Sequence, residues 1–553
     1  MRFRQPRKLA SLALAGVMGA GALAALPALR AGPAALGSDQ VRAGPEPTPA
    51  AAPQIQVSGG VVRGRWLDGG AGAVFRGIPF AAPPEGPLRW REPQPVVPWS
   101  GVRDALQPGP PPAQESFGFN ERMAAEGRED CLYLDVWTPT LAAGAKRPVM
   151  VWIHGGANLG LAGGGEPVYE GRSLIARGVV LVVLEYRSGV FGFLAHPELT
   201  RESPHHASGN YALLDQIAGL QWVRNHIARF GGDPAMVTVF GQSAGGWNIA
   251  ALMSSPLAHG LFCRAILESG VPPRNLCRSL PELEKRGEEI AAHLKAPPQG
   301  ALAFLRGVAA AQLLQAGAGL NLYSLDGWVL PTAPFAVWKS HREEPVPVII
   351  GNNAVEFPSK LSEAEIASAI RETFGDLAPR ALVLYGLDRA GTPAVHPVYG
   401  SVQDQWGSDL YFRMAGIIHG EWHRRAGNHV WEYEFDRAVA PRTQVRHSDE
   451  LAYVFGNFRS EGGMVSGKFD ATDRKLSDQM QAYWTNFART GDPNGPGLPA
   501  WREYDGRERS YLVFTAAGGV SLEHDERGPV ADLFRELLAR PSGPADDSRS
   551  TFR

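Results

Sequence analysis

Residues 240–247 read Phe240-Gly241-Gln242-Ser243-Ala244-Gly245-Gly246-Trp247. The β-rich apolar run Met236-Val237-Thr238-Val239-Phe240 leads into the Gly-x-Ser-x-Gly core, and a small-residue stretch of helical character, 244–253, follows it. A strand that turns sharply into a helix at such a pentapeptide forces the serine into strained dihedrals and leaves its hydroxyl exposed at the top of a sheet. The glycines serve the turn because a Cβ there would collide with the neighbouring strand or helix. The helix N-terminus adds a positive dipole end beside any oxyanion that develops. The pentapeptide alone is common. The strand before it and the helix after it make Ser243 the candidate nucleophile.

Further apolar runs read as buried parallel strands: 149–153, 179–184 and 346–350, with the alternating run 429–435 after them. Residues 211–227 read as a helix, with Leu213, Leu214, Ile217, Leu220 and Val223 on an apolar face. Strands alternating with helices predict an α/β fold: a large, mostly parallel central sheet flanked by helices, with catalytic loops at the strand C-termini. No internal repeat or second linker divides residues 54–540, so one sheet with long insertions accounts for a catalytic domain of that span.

A serine hydroxyl is a poor nucleophile at neutral pH and needs a base held by an orienting acid. In α/β-hydrolases the chain order is Ser, then Asp or Glu, then His. Nine histidines follow Ser243, so counting does not choose among them. Position does: Glu356 lies in the loop after the strand ending near Ile350, and His447 in the loop after the strand ending near Phe435. His419, His423 and His429 sit in or beside helix and strand patterns and read as structural. An oxyanion hole needs backbone N–H donors with no side chain in the way. Ile153-His154-Gly155-Gly156-Ala157 follows a strand and fits, and Ala244 supplies a further N–H directly after the nucleophile. No His-Glu-x-x-His or clustered Cys/His spacing points to a metal.

Around these residues the chain resembles the type B carboxylesterases, which include cholinesterases, bacterial para-nitrobenzyl esterases and some lipases. The resemblance covers residues 59–504. It is carried by Phe75-Arg76-Gly77-Ile78-Pro79-Phe80-Ala81, by Glu129-Asp130-Cys131-Leu132-Tyr133-Leu134-Asp135-Val136-Trp137, and by Glu185-Tyr186-Arg187 with Gly189-Val190-Phe191-Gly192-Phe193-Leu194. Phe230-Gly231-Gly232-Asp233-Pro234, Asn486-Phe487-Ala488 and Gly491-Asp492-Pro493-Asn494 add to it. In that family the acid is a Glu five residues past a strand-ending Gly, the spacing of Gly351 to Glu356. The family's His is followed by an acidic residue three positions on and then by an apolar-Phe-Gly run, as in the segment from His447 through Glu450 to Gly456.

The resemblance therefore implies a Ser243–His447–Glu356 triad. It implies an oxyanion hole of Gly156, Ala157 and Ala244, with His154 and Gly155 shaping the loop. It also implies two scaffold ion pairs, Arg89–Glu129 and Arg187–Asp215. The implied activity is hydrolysis of small-molecule carboxylic esters through an acyl-enzyme, with no cofactor. Two other readings use the same motifs. One is a non-catalytic adhesion module, which in this family has lost the triad; here all three positions are filled. The other is acyl transfer or amide cleavage, which water exclusion and leaving-group fit decide. Acyl-chain preference, alcohol moiety and oligomeric state are not written in these motifs.

Several positions depart from the family pattern. The partner cysteine that many relatives have upstream of Cys131 is missing from 109–114, so nothing favours choline esters. Gln242 precedes the nucleophile where cholinesterases have Glu. Phe357 follows the acid where Gly is usual. Asn158 replaces an aromatic residue after the oxyanion loop, and is expected to make the mouth of the pocket more polar. Segments 295–345 and 357–425 are expected to build much of the pocket wall.

The chain has 553 residues, 44% hydrophobic and 20% charged, a balance that supports a large core. Its formal net charge of −2 and the lack of a basic stripe give no footing for nucleic acid. Cys131, Cys263 and Cys277 are the only cysteines, so at most one disulfide can form; Cys263 with Cys277 and three buried thiols are both open. Arg2, Arg4, Arg7 and Lys8 precede the uncharged, Ala- and Leu-rich residues 9–29, which contain small-residue cleavage patterns around Ala20-Gly21-Ala22-Leu23-Ala24. Residues 1–30 read as a cleaved export signal rather than an anchor, because the run is only weakly apolar. Cleavage would leave a periplasmic or secreted enzyme with no stable membrane insertion. The Ala-, Gly- and Pro-rich 31–53 reads as a flexible linker, and 541–553 as a disordered tail. Mass spectrometry of the protein from its host is expected to show a chain that begins after about residue 24; an intact Met1 in the membrane fraction would instead mark an anchor.

Overall fold

The computed structural model describes residues 51–271, 276–389, 391, 395–458 and 467–540. The proposed signal, most of the linker and the C-terminal tail lie outside them. An 11-stranded sheet forms the centre. In chain order its strands are β1 (Arg65–Trp66), β2 (Ala73–Pro79), β3 (Tyr133–Thr138), β4 (Arg147–Ile153), β5 (Val180–Leu184), β6 (Gly232–Gln242), β7 (Arg264–Glu268), β8 (Val348–Asn353), β9 (Val430–Phe435), β10 (Ser510–Phe514) and β11 (Val520–His524). Across the sheet they run β11-β10-β9-β8-β7-β6-β4-β5-β3-β2-β1. From β5 to β10 every pairing is parallel, and antiparallel strands close both ends. The expected α/β architecture, with a mostly parallel sheet, is what the chain forms.

Residues 149–153 of β4 and 180–184 of β5 are uninterrupted apolar runs because both faces are covered. In β4 and β5 the alternation of side chains sorts them between two cores. Val149, Val151, Ile153, Val180, Val182 and Leu184 pack into one. Met150, Trp152, Leu181 and Val183 pack into the other. Helix α1 (Tyr211–His226) adds Leu213, Leu220 and Val223 to the first core. The long C-terminal helix of 471–490, Ala471–Thr490, adds Leu476, Met480, Tyr483 and Trp484 to the second. The layers are thus helix, sheet, helix, and each strand residue is assigned to a layer by its parity.

Register brings the strand ends together. Ile153 of β4 stands beside Gly241 of β6, Gln242 beside Glu268 of β7, Glu268 beside Gly351 of β8, and Asn353 beside Phe435 of β9. The segments that leave these strands, carrying His154 to Asn158, Ser243, Glu356 and His447, therefore emerge from one edge of the sheet. That is the edge where open α/β sheets hold their ligands.

The two expected scaffold ion pairs are present. Arg89 makes a bidentate pair with Glu129, at 2.5 and 2.6 Å, and its remaining Nη1 donates to the carbonyls of Leu305 and Val308 at 2.8 Å. This ties the N-terminal part of the chain to the 301–307 helix. Arg187, just after β5, donates from Nε and Nη2 to Asp215 of α1 at 2.8 and 2.7 Å, and its backbone N–H adds a third bond to the same carboxylate. Both side chains are buried. All three cysteines are free thiols. Among the described residues no helix is long and apolar enough to cross a membrane.

Removing one member of a buried, multiply bonded pair leaves the other charge uncompensated. Asp215→Ala is expected to lower the free energy of unfolding by about 3–5 kcal/mol, read as an earlier urea midpoint. A midpoint equal to that of the parent protein would mean that the pair does not hold α1 to the sheet.

Candidate active site

Strand β6 ends at Gln242, and helix α2 (Ala244–Leu252) begins one residue after Ser243. Ser243 bridges them at φ 57° and ψ −125°, in the left-handed half of dihedral space that a residue with a Cβ rarely occupies. The strain is held from two sides. Its backbone N–H donates to the Glu268 carbonyl at 2.9 Å. On the other side α2 presses against the end of β4 so closely that a Cβ on Gly245 would stand 2.0 Å from the Ile153 carbonyl oxygen. Only glycine permits that approach.

The loop after β4 supplies the expected donors. Gly156 has φ 97°, and a Cβ there would meet the Gly160 carbonyl oxygen at 2.1 Å. Ala157 follows at φ 56° and Asn158 at φ 59°. Each carbonyl of this stretch is tied back into the protein. Gly156 accepts from the N–H groups of Leu159 and Gly160, Ala157 from Asn321 Nδ2 at 2.9 Å, and Asn158 from the Gly189 N–H at 2.7 Å. Among the described residues no acceptor takes the N–H of Gly156 or Ala157. Ala244 is the first residue of α2, where a helix has no internal acceptor for its N–H. Beneath the loop the His154 ring stacks on Tyr186 with centroids 4.3 Å apart, and the Tyr186 hydroxyl donates to the His154 carbonyl at 2.6 Å. Burial lowers the His154 pKa to about 4, so the ring is a neutral packing element.

Glu356 and His447 come together as their positions predict. His447 Nδ1 lies 2.6 Å from Glu356 Oε2. The other oxygen, Oε1, accepts from the Asn353 N–H at 2.7 Å, and the Glu356 N–H donates to Ser408 Oγ at 3.0 Å. The carboxylate is fully buried and the imidazole nearly so. An ionised carboxylate only accepts, so Nδ1 carries the ring proton and Nε2 its lone pair. That lone pair faces the side-chain amide of Gln242, 3.2 Å away, whose oxygen in turn accepts from Ser448 Oγ. His447 is therefore docked on the residue next to Ser243, with the Gln242 amide at the nitrogen a serine hydroxyl would use. Phe357 does not displace the acid: its ring packs on the His447 ring at 4.4 Å, and Phe412 packs on it at 4.8 Å. Both fall in the 357–425 segment expected to wall the pocket.

Other acids lie close by, and burial sorts them. Burial, together with the charge of Glu356, drives the Glu450 carboxyl well above its usual range. Glu268 is pushed up to about 8 by burial, against the opposing hydrogen bond from Trp484. In both, burial disfavours a second carboxylate charge beside Glu356. Asp449, two residues past His447, turns to Arg442 and pairs with it through both oxygens. The other histidines have structural partners. His419 bonds the Ala415 carbonyl, His423 bonds Glu343 and the Val346 carbonyl, and exposed His429 bonds Glu503.

One expectation is corrected. Asn158 does not make the pocket mouth more polar, because it is wholly buried. Its side chain turns inward to Tyr323 and Asn248, and a buried amide goes where its hydrogen bonds can be completed. Sequence reasoning missed Gln242 as a partner of His447, and also Asn321, Asn248 and Tyr323. Asn248 gave a local signal, lying one helical turn and a residue past Ser243 on α2; Tyr323, far along the chain, gave none.

Residues 51–526 match the carboxylesterase family. The chain is 36% identical over 502 residues to a medium-chain fatty acyl-CoA hydrolase precursor of Anas platyrhynchos, covering 83% of this chain and 88% of that one. It is 36% identical over 456 residues to a fumonisin B1 esterase of Sphingopyxis macrogoltabida, covering 78% and 82%. Among solved structures it superposes on a PNB esterase with a TM-score of 0.74 at 32% identity, covering 88% of this chain and 99% of that one. The Geobacillus stearothermophilus carboxylesterase EST55 gives the same TM-score and identity, covering 87% and 99%. With its sheet, its elbow and these relatives in agreement, the chain belongs to the carboxylesterase family and is an α/β-hydrolase that cleaves carboxylic esters.

Proposed function

We propose that Ser243, His447 and Glu356 are the catalytic triad of this esterase and that the N–H groups of Gly156, Ala157 and Ala244 form its oxyanion hole. The observation that carries the reading is the 2.6 Å bond between His447 Nδ1 and Glu356 Oε2, made while Nε2 faces the elbow. It puts the ring proton on Nδ1 and turns the Nε2 lone pair, held by the Gln242 amide, toward the elbow, the tautomer a general base needs. Attack requires the Ser243 hydroxyl to take the place of the Gln242 amide at Nε2.

The steps follow from those positions. Ser243 Oγ bonds to the ester carbonyl carbon as its proton passes to His447 Nε2, and the carbonyl oxygen becomes an anion held by the three N–H groups. Collapse breaks the bond to the leaving alcohol oxygen, which takes the proton from Nε2. A water then attacks the acyl-Ser243 ester, gives its proton to Nε2, and the acid leaves as Ser243 Oγ recovers that proton. Glu356 keeps its charge throughout and stabilises the imidazolium in both half-reactions. No step calls for a cofactor or a metal. The N-terminal segment extends the reading to an enzyme that is exported and works on small esters outside the cytoplasm.

Ser243→Ala is expected to lower kcat on para-nitrophenyl esters by about 10⁶-fold while the protein stays folded, and His447→Ala to fall within about tenfold of it. Activity of the serine variant within about tenfold of the parent enzyme would remove Ser243 from the mechanism. Glu356→Gln keeps the shape of the acid but loses its charge, and is expected to cost roughly 10⁴-fold in kcat. An Asp449→Asn variant that is inactive beside an active Glu356→Gln would transfer the acid's role to Asp449.

A further inference from the structure

Asn158, Asn248 and Tyr323 close a ring of hydrogen bonds. Asn158 Nδ2 donates to the Tyr323 hydroxyl at 3.1 Å, the hydroxyl donates to Asn248 Oδ1 at 2.6 Å, and Asn248 Nδ2 donates to Asn158 Oδ1 at 2.9 Å. Each member gives one hydrogen and receives one. Turning both amides over closes the same ring in the opposite sense. All three residues are fully buried. In either sense the ring holds the three side chains in the same places, because losing any bond strands polar groups away from water.

The ring's members come from three separate parts of the fold. Asn158 follows Ala157 in the loop after β4, at φ 59°, a conformation asparagine tolerates better than most residues. Asn248 is on α2, the helix whose first residue is Ala244. Tyr323 opens the short strand Tyr323–Leu325, which pairs with Cys277–Ser279 in the insertion beyond β7. The ring thus fixes the loop that bears two of the proposed oxyanion donors against the helix that bears the third. Asn321, two residues before Tyr323, adds its bond to the Ala157 carbonyl and sets the plane of the peptide beyond that residue. An aromatic residue at position 158 could not make this connection.

Resting on the oxyanion-hole reading above, we infer that Asn158, Asn248 and Tyr323 act together as positioning residues that set the separation and direction of the Gly156, Ala157 and Ala244 N–H groups. They touch no reacting atom. Their effect is on the tetrahedral intermediate, whose oxyanion needs all three donors in place, and much less on the neutral ester, which binds before charge develops.

The test uses the full-length enzyme with Tyr323→Phe, which removes one oxygen atom, and Asn248→Ala, which acts on the helix side and leaves the loop sequence alone. Each is expected to lower kcat by about 10–100-fold with KM within about twofold, as displaced donors would. Affinity for an aryl trifluoromethyl ketone, which adds to the serine and forms an oxyanion, should fall by the same factor as kcat/KM. The double variant should be little worse than either single one, because the ring fails as a unit. A KM increase at unchanged kcat would overturn the inference and make the ring a pocket-shaping element. So would ketone affinity and kcat within about twofold of the parent enzyme, or multiplicative losses in the double variant. Stoichiometric labelling by diethyl para-nitrophenyl phosphate, with the modified peptide identified, separates this inference from the one beneath it. Label on Ser243 in parent and variants keeps the site reading intact whichever way the ring behaves, whereas label elsewhere in the parent enzyme would sink the site reading itself. If Asn248→Ala does not fold, Tyr323→Phe alone decides, by the same kcat, KM and ketone measurements.

Discussion

The carbonyl oxygen of Ile153 sets the distance on which the rest of the site depends. It stands only 2.0 Å from where a Cβ on Gly245 would be, and it ends the strand that leads into the proposed oxyanion loop. Because α2 can come that close to β4, Ser243 lies against the loop after β4, where a Cβ on Gly155 would stand 3.1 Å from the Ser243 Cβ. The same approach holds Ser243 at a positive φ, since the chain has no room to relax the turn while β6 and α2 keep their neighbours. The strain is local and small. The sheet that enforces it is large, buried on both faces and registered strand by strand, so the unfavourable dihedral persists.

Around that contact the polar groups are arranged by exclusion. Carbonyls of the oxyanion loop are each occupied, which leaves N–H groups as its free polarity. Burial raises the pKa of two nearby acids, Glu450 and Glu268, while Glu356 is the acid bonded to His447. The Phe357 and Phe412 rings both pack on the imidazole. The site works as much through what its surroundings withhold as through the groups on show.

Much of this was legible in the sequence, and the boundary is physical. Strands β4, β5, β6 and β8 announce themselves through the apolar runs that burial on both faces demands, and β9 through its alternating pattern. The sequence reading ends β8 near Ile350, whereas the strand runs on to Asn353. Asn352 and Asn353 are polar but buried, and they continue the strand with Glu526, Glu450 and the Arg446 carbonyl accepting from their side-chain amides. Hydrophobic patterning has no way to register such residues. Glu356 and His447 were found because each follows a recognisable strand. The inward turn of Asn158 was not, because its direction is decided by Tyr323, 165 positions away. Local spacing speaks for elements, and long-range hydrogen bonding decides where polar side chains point.

The three unpaired thiols give the molecule a particular relation to its surroundings. No covalent cross-link holds this sheet together, so its assembly needs no oxidant and its disassembly gains nothing from a reductant. Burial raises the pKa of Cys131 and Cys263 and pushes Cys277 up to about 12, which starves each of the thiolate through which sulfur reacts. The stability of the described fold is thus carried by packing and by ion pairs such as Arg187–Asp215, which do not sense redox potential.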